Sequence, residues 1–290
     1  MNTTKLGWTI TYIIVGMVLF GGVSYYVIDN SPTVDSLADK VAQVRSAVVH
    51  IEKEGEWQGS GFIVGAEGLI VTAKHVVEGG GTFIVTLDDG TQFRTNITVE
   101  STRYDVGFLS IHTDKPLPAV ALCLQEFGRP GDSVFIIGTP LGYENFNSVT
   151  LGIISAEQRD LSPYDEGLGW SILFQSDAQA YPGNSGGPVF NMHGEVIGVL
   201  VAGVGPGLNY SVPVKLFIED LNVVRLLVAM YKFNVPDIEQ DNFNHQVMSI
   251  LEDMQEEIDW LVGELNNIEE VFDASRNGTS TESGCSKEGL

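Results

Sequence analysis

The 290 residues carry 38 Asp and Glu against 15 Lys and Arg, a formal net charge of −23. A chain this acidic repels a phosphate backbone, which excludes nucleic acid as a partner. The length suits one large domain or two small ones, and 33 glycines suit many tight turns between short strands. The two cysteines lack metal-ligand spacing and are not expected to pair. Cys123 sits in the apolar run Val120–Leu124 and reads as a small buried hydrophobe, while Cys285 lies in a polar tail. No metal and no cofactor is expected.

Taken in chain order, residues 1–7 precede an uncharged run of 21 residues from Trp8 to Ile28. As a helix rising ~1.5 Å per residue, the run would span ~30 Å, the thickness of a bilayer core. Trp8 at one end and Tyr25 and Tyr26 at the other suit the two interfaces. Residues 8–28 are therefore expected to form a transmembrane helix, uncleaved because no A-x-A-like site follows it. Lys5 before the run and Asp29 and Asp35 after it predict a cytoplasmic stub at 1–7 and an extracytoplasmic remainder, periplasmic or at the cell surface.

Residues 29–46 read as a linker containing Pro32, then a short helix from Ser36 to Arg45. Between residues 47 and 213, short β-branched runs alternate with Gly, Pro and Asp. They include Ala47–Ile51, Gly61–Val64, Leu69–Thr72, Thr82–Leu87, Phe108–Ile111, Ser133–Ile137, Val149–Ser155, Ile172–Gln175, Val196–Val201 and Leu208–Ser211. Asp88-Asp89-Gly90 marks a hairpin. With no helix-length pattern between them, these strands predict an all-β barrel or sandwich.

After Pro213 the period changes. Residues 214–232 read as one helix, without Gly or Pro. Residues 233–241 read as a linker. In residues 241–273, Val247, Leu251, Met254, Ile258, Leu261, Leu265, Ile268 and Phe272 are separated by 4, 3, 4, 3, 4, 3 and 4, a heptad repeat that predicts a coiled coil. Gly263 weakens it by ~1 kcal/mol. Its outer face is acidic, so like charges oppose assembly; packing back on the β-domain is the alternative. Residues 274–290 are polar and expected to be disordered.

The densest local signal is Tyr181-Pro182-Gly183-Asn184-Ser185-Gly186-Gly187-Pro188. Glycines on both sides of Ser185 let backbone approach closely. A turn of Gly183, Asn184 and Ser185 can aim the N–H groups of Gly183 and Ser185 at one point, which an oxyanion requires. The pattern also fits the G-x-S-x-G elbow of the α/β-hydrolases. That fold needs a helix after the serine and an Asp and then a His further on. Here strand-like Pro188-Val189-Phe190 follows, His193 is too near and His245 lies in the acidic segment. The order His, Asp, Ser fits instead. His75 closes the strand-to-turn stretch Leu69–Val77, and Asp105 opens the apolar run Val106–Leu109. A carboxylate there needs a partner, and an imidazole N–H supplies one. His50, His112 and His193 lack such a setting and read as structural or solvated.

With those residues in view, the chain resembles the HtrA/Deg branch of the chymotrypsin-like serine proteases. The likeness rests on Gly59–Val64, Val71–Val77, Gly138–Gly142, Val149–Ser155, Gln175–Ala178 and Pro182–Asn191, within residues 47–214. It implies a mainly β, double β-barrel protease domain at 47–213. His75 and Asp105 would come from the first barrel and the nucleophile Ser185 from the second. It also implies an S1 pocket at Gln179, Ala180, Leu200 and Ala202, where no Asp awaits Arg or Lys, so a small or medium apolar P1 residue is expected. Unfolded or exposed polypeptides would be the substrates, in quality control or regulated proteolysis; a chaperone or scaffold role and a dedicated processing protease are the alternatives. A homo-oligomer is expected, a trimer being one compatible size. The chain departs from the family in three places. After residue 214 it reads as helix and coil rather than a PDZ domain, Lys74 precedes His75, and Gly107 stands where Ala is frequent.

Overall fold

The computed structural model describes residues 14–19, 22–27, 36–53, 58–124, 128–162 and 172–234. The expected coiled coil, the tail and the stretch where a PDZ domain would stand all lie outside these residues. The chain divides into two compact units, 1–39 and 40–290.

In the first unit, β1 (Ile14–Leu19) and β2 (Gly22–Val27) pair antiparallel, with Leu19 opposite Gly22. The transmembrane helix expected over 8–28 is not what the structure describes for these residues. The composition explains the difference. Val15, Val18, Val23, Tyr25, Tyr26 and Val27 favour an extended backbone, while Gly16 and Gly22 would each cost ~1 kcal/mol inside a helix. Among the described residues, no helix is long and apolar enough to cross a membrane.

Next comes α1 (Leu37–Val44), continued by a 3₁₀ turn over Arg45–Ala47. Ser36 caps it reciprocally: Asp39 N donates to Ser36 Oγ at 3.2 Å, and Ser36 N to Asp39 Oδ2 at 2.9 Å. The first sheet follows, made of β3 (Val48–Lys53), β4 (Gln58–Gly65), β5 (Leu69–Thr72), β6 (Phe83–Thr86), β7 (Gln92–Thr95), β8 (Thr98–Glu100) and β9 (Gly107–Ser110). The one-turn helix α2 (Lys74–Val77) interrupts it after β5. The strand order is β7-β6-β3-β4-β5-β9-β8. The two outermost strands, β7 and β8, are consecutive in the chain. Thr95 and Thr98 can be no more than ~10 Å apart, so the sheet must curl until its edges meet. Ser110 N donates to Ile97 O, and Thr95 Oγ1 to Ser110 O, across that closure.

The second sheet holds β10 (Ala121–Leu122), β11 (Ser133–Gly138), β12 (Ser148–Arg159), β13 (Leu173–Ser176), β14 (Pro188–Asn191), β15 (Glu195–Gly203) and β16 (Asn209–Pro213). Its order is β10-β15-β14-β11-β12-β13-β16, and β15 also pairs with β16, so six strands close into a barrel. Val134, Ile136, Ile154, Phe174, Val189 and Leu200 fill it, with Cys123 packed half-buried at its side. The double-barrel expectation thus matches the two sheets. The helix predicted over 214–232 is α3 (Val214–Asn234), which buries Phe217, Leu221, Val224 and Val228 at helical spacing.

His50 lies on β3 between Ser60 of β4 and Thr86 of β6. Its ring is buried against Tyr143 and Phe146, with centroids 5.3 and 6.1 Å away. Burial lowers its pKa, and the opposing pull of Glu52 is weaker. A depressed histidine pKa means that the unfolded chain takes up more protons, so stability falls as pH drops below ~6.5 and levels off beneath the depressed value. Thermal melts in a Ser185→Ala background should show this acid loss, and His50→Gln should flatten it. Parallel pH profiles for the two proteins would refute it.

Candidate active site

β5 and β9 run antiparallel with Thr72 opposite Gly107. The chain leaving β5 and the chain entering β9 therefore emerge at the same end, which sets His75 beside Asp105. His75 Nδ1 lies 2.7 Å from Asp105 Oδ2, and the His75 backbone N–H donates to Asp105 Oδ1 at 3.0 Å. The Asp105 side chain has no solvent exposure, whereas that of His75 is 28% exposed. A carboxylate that only accepts takes the imidazole N–H at Nδ1, which fixes the ring's orientation.

Ser185 sits between β13 and β14, in two successive tight turns. Asn184 N donates to Tyr181 O at 3.0 Å, with Pro182 and then Gly183 (φ +98°) at the central positions. Gly187 N donates to Asn184 O at 2.9 Å, with Gly186 (φ +82°) third. Positive φ in the third position is the demand of a type II turn, and Pro favours the second. Space adds a separate requirement. A Cβ on Gly183 would overlap Thr139 O, and one on Gly186 would overlap Ser60 O and press on Ala73 N. The serine turn is thus packed against the residues that lead into His75.

Of the three turn residues expected at an oxyanion site, Asn184 has its N–H engaged by Tyr181. Among the described residues, the N–H groups of Gly183 and Ser185 have no acceptor. They leave a small backbone nest suited to negative charge.

Ser60, on β4, had no role assigned from sequence beyond its place in a matching block. It joins the two barrels through its N–H and its hydroxyl, while its carbonyl is held within the first sheet. Its N–H donates to Ser185 O at 2.8 Å and its hydroxyl to Gly183 O at 2.7 Å, while the hydroxyl accepts from Thr139 N at 2.9 Å. Thr72 Oγ1 donates to Ser60 O at 2.7 Å. The available signal was a serine, flanked by glycines, inside an otherwise apolar strand.

A cleft of about 240 Å³ opens beside Ser185. Three of the four residues expected at S1, Ala180, Leu200 and Ala202, line it together with Tyr181, Pro182, Val201 and Gly203. Gln179 lines a neighbouring hollow with Pro206 and Gly207 instead. No acidic side chain lines either cleft. His112 and His193 are exposed, and no group of His, Cys, Asp and Glu that could hold a metal occurs among the described residues.

Residues 59–199 match the trypsin-like peptidase domain model. A protein of Pseudomonas putida, "Probable periplasmic serine endoprotease DegP-like", is 36% identical over 188 residues, covering 63% of this chain and 38% of its own length. The chain thus spans well under half of that relative. An HtrA-type protease solved with a tripeptide superposes with a TM-score of 0.57 at 29% identity, over 66% of this chain and 64% of the other. The serine endoprotease from Yersinia pestis superposes with a TM-score of 0.56 at 27% identity, over 67% of each chain. Residues 59–199 are thus similar to trypsin-like peptidases, and the relatives place that likeness among serine endoproteases of the HtrA and DegP-like kind.

Proposed function

We propose that the chain is a serine endopeptidase that cleaves exposed or unfolded polypeptide outside the cytoplasm, in protein quality control or regulated proteolysis. The observation that carries this reading is the 2.7 Å contact between His75 and a fully buried Asp105, beside the doubly turned loop of Ser185. Ser185 Oγ attacks the scissile carbonyl while His75 Nε2 takes its proton. The carbonyl oxygen becomes an oxyanion held by the N–H groups of Gly183 and Ser185. His75 then returns the proton to the leaving amine, and water, deprotonated by His75, releases the acyl group. Asp105 fixes the ring orientation and offsets the charge of the imidazolium without taking the proton.

Substrate choice follows from the cleft. Ala180, Leu200 and Ala202 offer apolar walls and no counter-charge, so a small or medium apolar P1 residue fits best and a cationic one would be desolvated without a partner. The run from Trp8 to Ile28 is proposed as the membrane attachment, with homo-oligomers forming on the far side. Its support is the 21 residues without a charge. A two-stranded ribbon leaves its outer edges without hydrogen bonds, which hydrocarbon does not tolerate, so the lipid-bound form of this run would be helical.

Three outcomes are expected. A fluorophosphonate probe should label the protein and casein should be degraded, both abolished in Ser185→Ala; labelling that survives the substitution would remove Ser185 as nucleophile. A peptide-library profile should favour Val, Ala, Leu or Ile at P1; dominance of Arg or Lys would overturn the pocket assignment. Alkaline carbonate should leave the full chain in the membrane pellet and release a fragment starting at Ser36; equal release of both would rule out the anchor.

A further inference from the structure

The segment that carries Asp105 is a short closed loop. Ser101 N donates to Val106 O at 2.9 Å, and Val106 N donates to Tyr104 O at 2.7 Å, a three-residue turn centred on Asp105. Within the loop, the Ser101 hydroxyl is the hub. Arg103 N and Tyr104 N both donate to it at 3.2 Å. Its own proton goes to Asp220 Oδ2 at 2.6 Å. A serine hydroxyl has one proton to give and two lone pairs to receive with, and here all three are used. Ser101 is fully buried, so no solvent stands ready to replace a lost partner.

Asp220 comes from α3, on the helix face that also buries Phe217, Leu221 and Val224. It is 8% exposed. A carboxylate among such neighbours persists only when paired and hydrogen-bonded. Asp220 meets both demands by reaching the loop. Oδ2 takes the Ser101 hydroxyl, and Oδ1 takes Arg103 Nη2 at 3.0 Å. Arg103 in turn lies 5.5 Å from the centre of the Tyr104 ring and 3.8 Å from the exposed Glu219. The helix that closes the β-domain thus grips, through one carboxylate, Ser101 and Arg103 of the loop that carries Asp105.

We propose that Asp220 is a positioning residue: through Ser101 it holds the loop that aims the Asp105 carboxylate at His75 Nδ1. The proposal rests on Asp105 being the partner of His75 in the reaction described above. Asp220 touches neither substrate nor the reacting atoms. Its effect belongs to the chemical step, since the cleft beside Ser185 is lined from the other barrel. A loosened Asp105 orients the ring less well and offsets less of the imidazolium charge, which lowers kcat and weakens the hydrogen bond at His75 Nδ1.

The test compares Asp220→Ala, Asp220→Asn, Ser101→Ala and the double variant Asp220→Ala/Ser101→Ala in the full chain, after circular dichroism shows each folded. Asp220→Ala and Ser101→Ala should each lower kcat about tenfold at unchanged KM, the loss that goes with one buried hydrogen bond. The double variant should fall no further, because both changes break the same link. Asp220→Asn keeps an acceptor for the Ser101 hydroxyl and should stay within about threefold of the parent. The Nδ1–H proton resonance of His75, read by NMR in a Ser185→Ala background, should shift in the same direction in Ser101→Ala and in Asp220→Ala. That NMR readout needs no turnover, so it separates this proposal from the peptidase reading, which fails on its own if the parent cleaves nothing. Parental kcat and a parental His75 Nδ1–H resonance in Ser101→Ala, additive losses in the double variant, or Asp220→Asn falling as low as Asp220→Ala would overturn the role; the last result would point to long-range charge instead. Should Asp220→Ala not fold, Ser101→Ala and Asp220→Asn carry the same decision.

Discussion

The chemistry is divided between two β-units, so the structure depends on whatever holds those units in register. That constraint falls on the contact between β4 and the Ser185 turn, and Ser60 meets it. Its backbone N–H, its carbonyl and its hydroxyl all bind partners, and three of its four hydrogen bonds reach Ser185, Gly183 and Thr139 of the second barrel. Each such bond adds only ~1 kcal/mol to stability. Their larger effect is positional. The bonds fix the peptide planes that follow Gly183 and Ser185, and so hold the turn in one orientation against the first barrel. The missing Cβ atoms at Gly183 and Gly186 are what allow the turn to come this close to Thr139, Ser60 and Ala73.

A second constraint is electrostatic. The chain is strongly acidic, yet the carboxylates with structural consequences in the β-domain are few, and those that are buried are paired. Asp105 is spent on His75 by two contacts, and Asp220 on Ser101 and Arg103. Glu100, next to the same loop, has its pKa raised by burial, which Lys74 only partly opposes. Lys74 thus finds a carboxylate close by, an outcome that its place next to His75 in the sequence did not indicate. The excess negative charge lies elsewhere, much of it in residues 241–273. None of the excess lines the cleft beside Ser185.

Much of this was legible before the structure. His75, Asp105 and Ser185 each stand in a local text that has few other uses, and β3, β4, β5, β11 and β15 declare themselves by β-branched runs. Within the two barrels, the strands that sequence missed were β7, β8 and β10. Gln92–Thr95 has only Phe93 as an apolar residue and presents an edge, Thr98–Glu100 is three residues long, and Ala121–Leu122 is two. Strands of that kind are specified by their neighbours' unpaired backbone, not by their own side chains. Gln179 was placed in the S1 pocket because it precedes the turn, but the backbone carries it to the next hollow. Ser60, Ser101 and Asp220 are ordinary polar residues in a sequence; their meaning lies in contacts spanning 79 to 125 positions, the longest from Ser60 to Ser185, and no local pattern encodes such contacts.

The segment from 14 to 27 shows the same limit from the other side. An uncharged stretch of bilayer length satisfies a helix and a hairpin equally by hydropathy; what separates them is backbone hydrogen bonding in a given solvent. As a ribbon, β1 and β2 satisfy each other along one edge only. Two strands alone are marginal in water, and in hydrocarbon each unpaired edge group costs several kcal/mol. A helix satisfies every interior group within itself, at a cost of ~1 kcal/mol for each glycine. In lipid the edge penalty is far larger than the glycine penalty, and in water it nearly vanishes because solvent supplies the missing bonds. The described pairing of β1 with β2 is thus the form in which solvent can complete the outer edges, whereas the strands of the β-domain complete one another around a core.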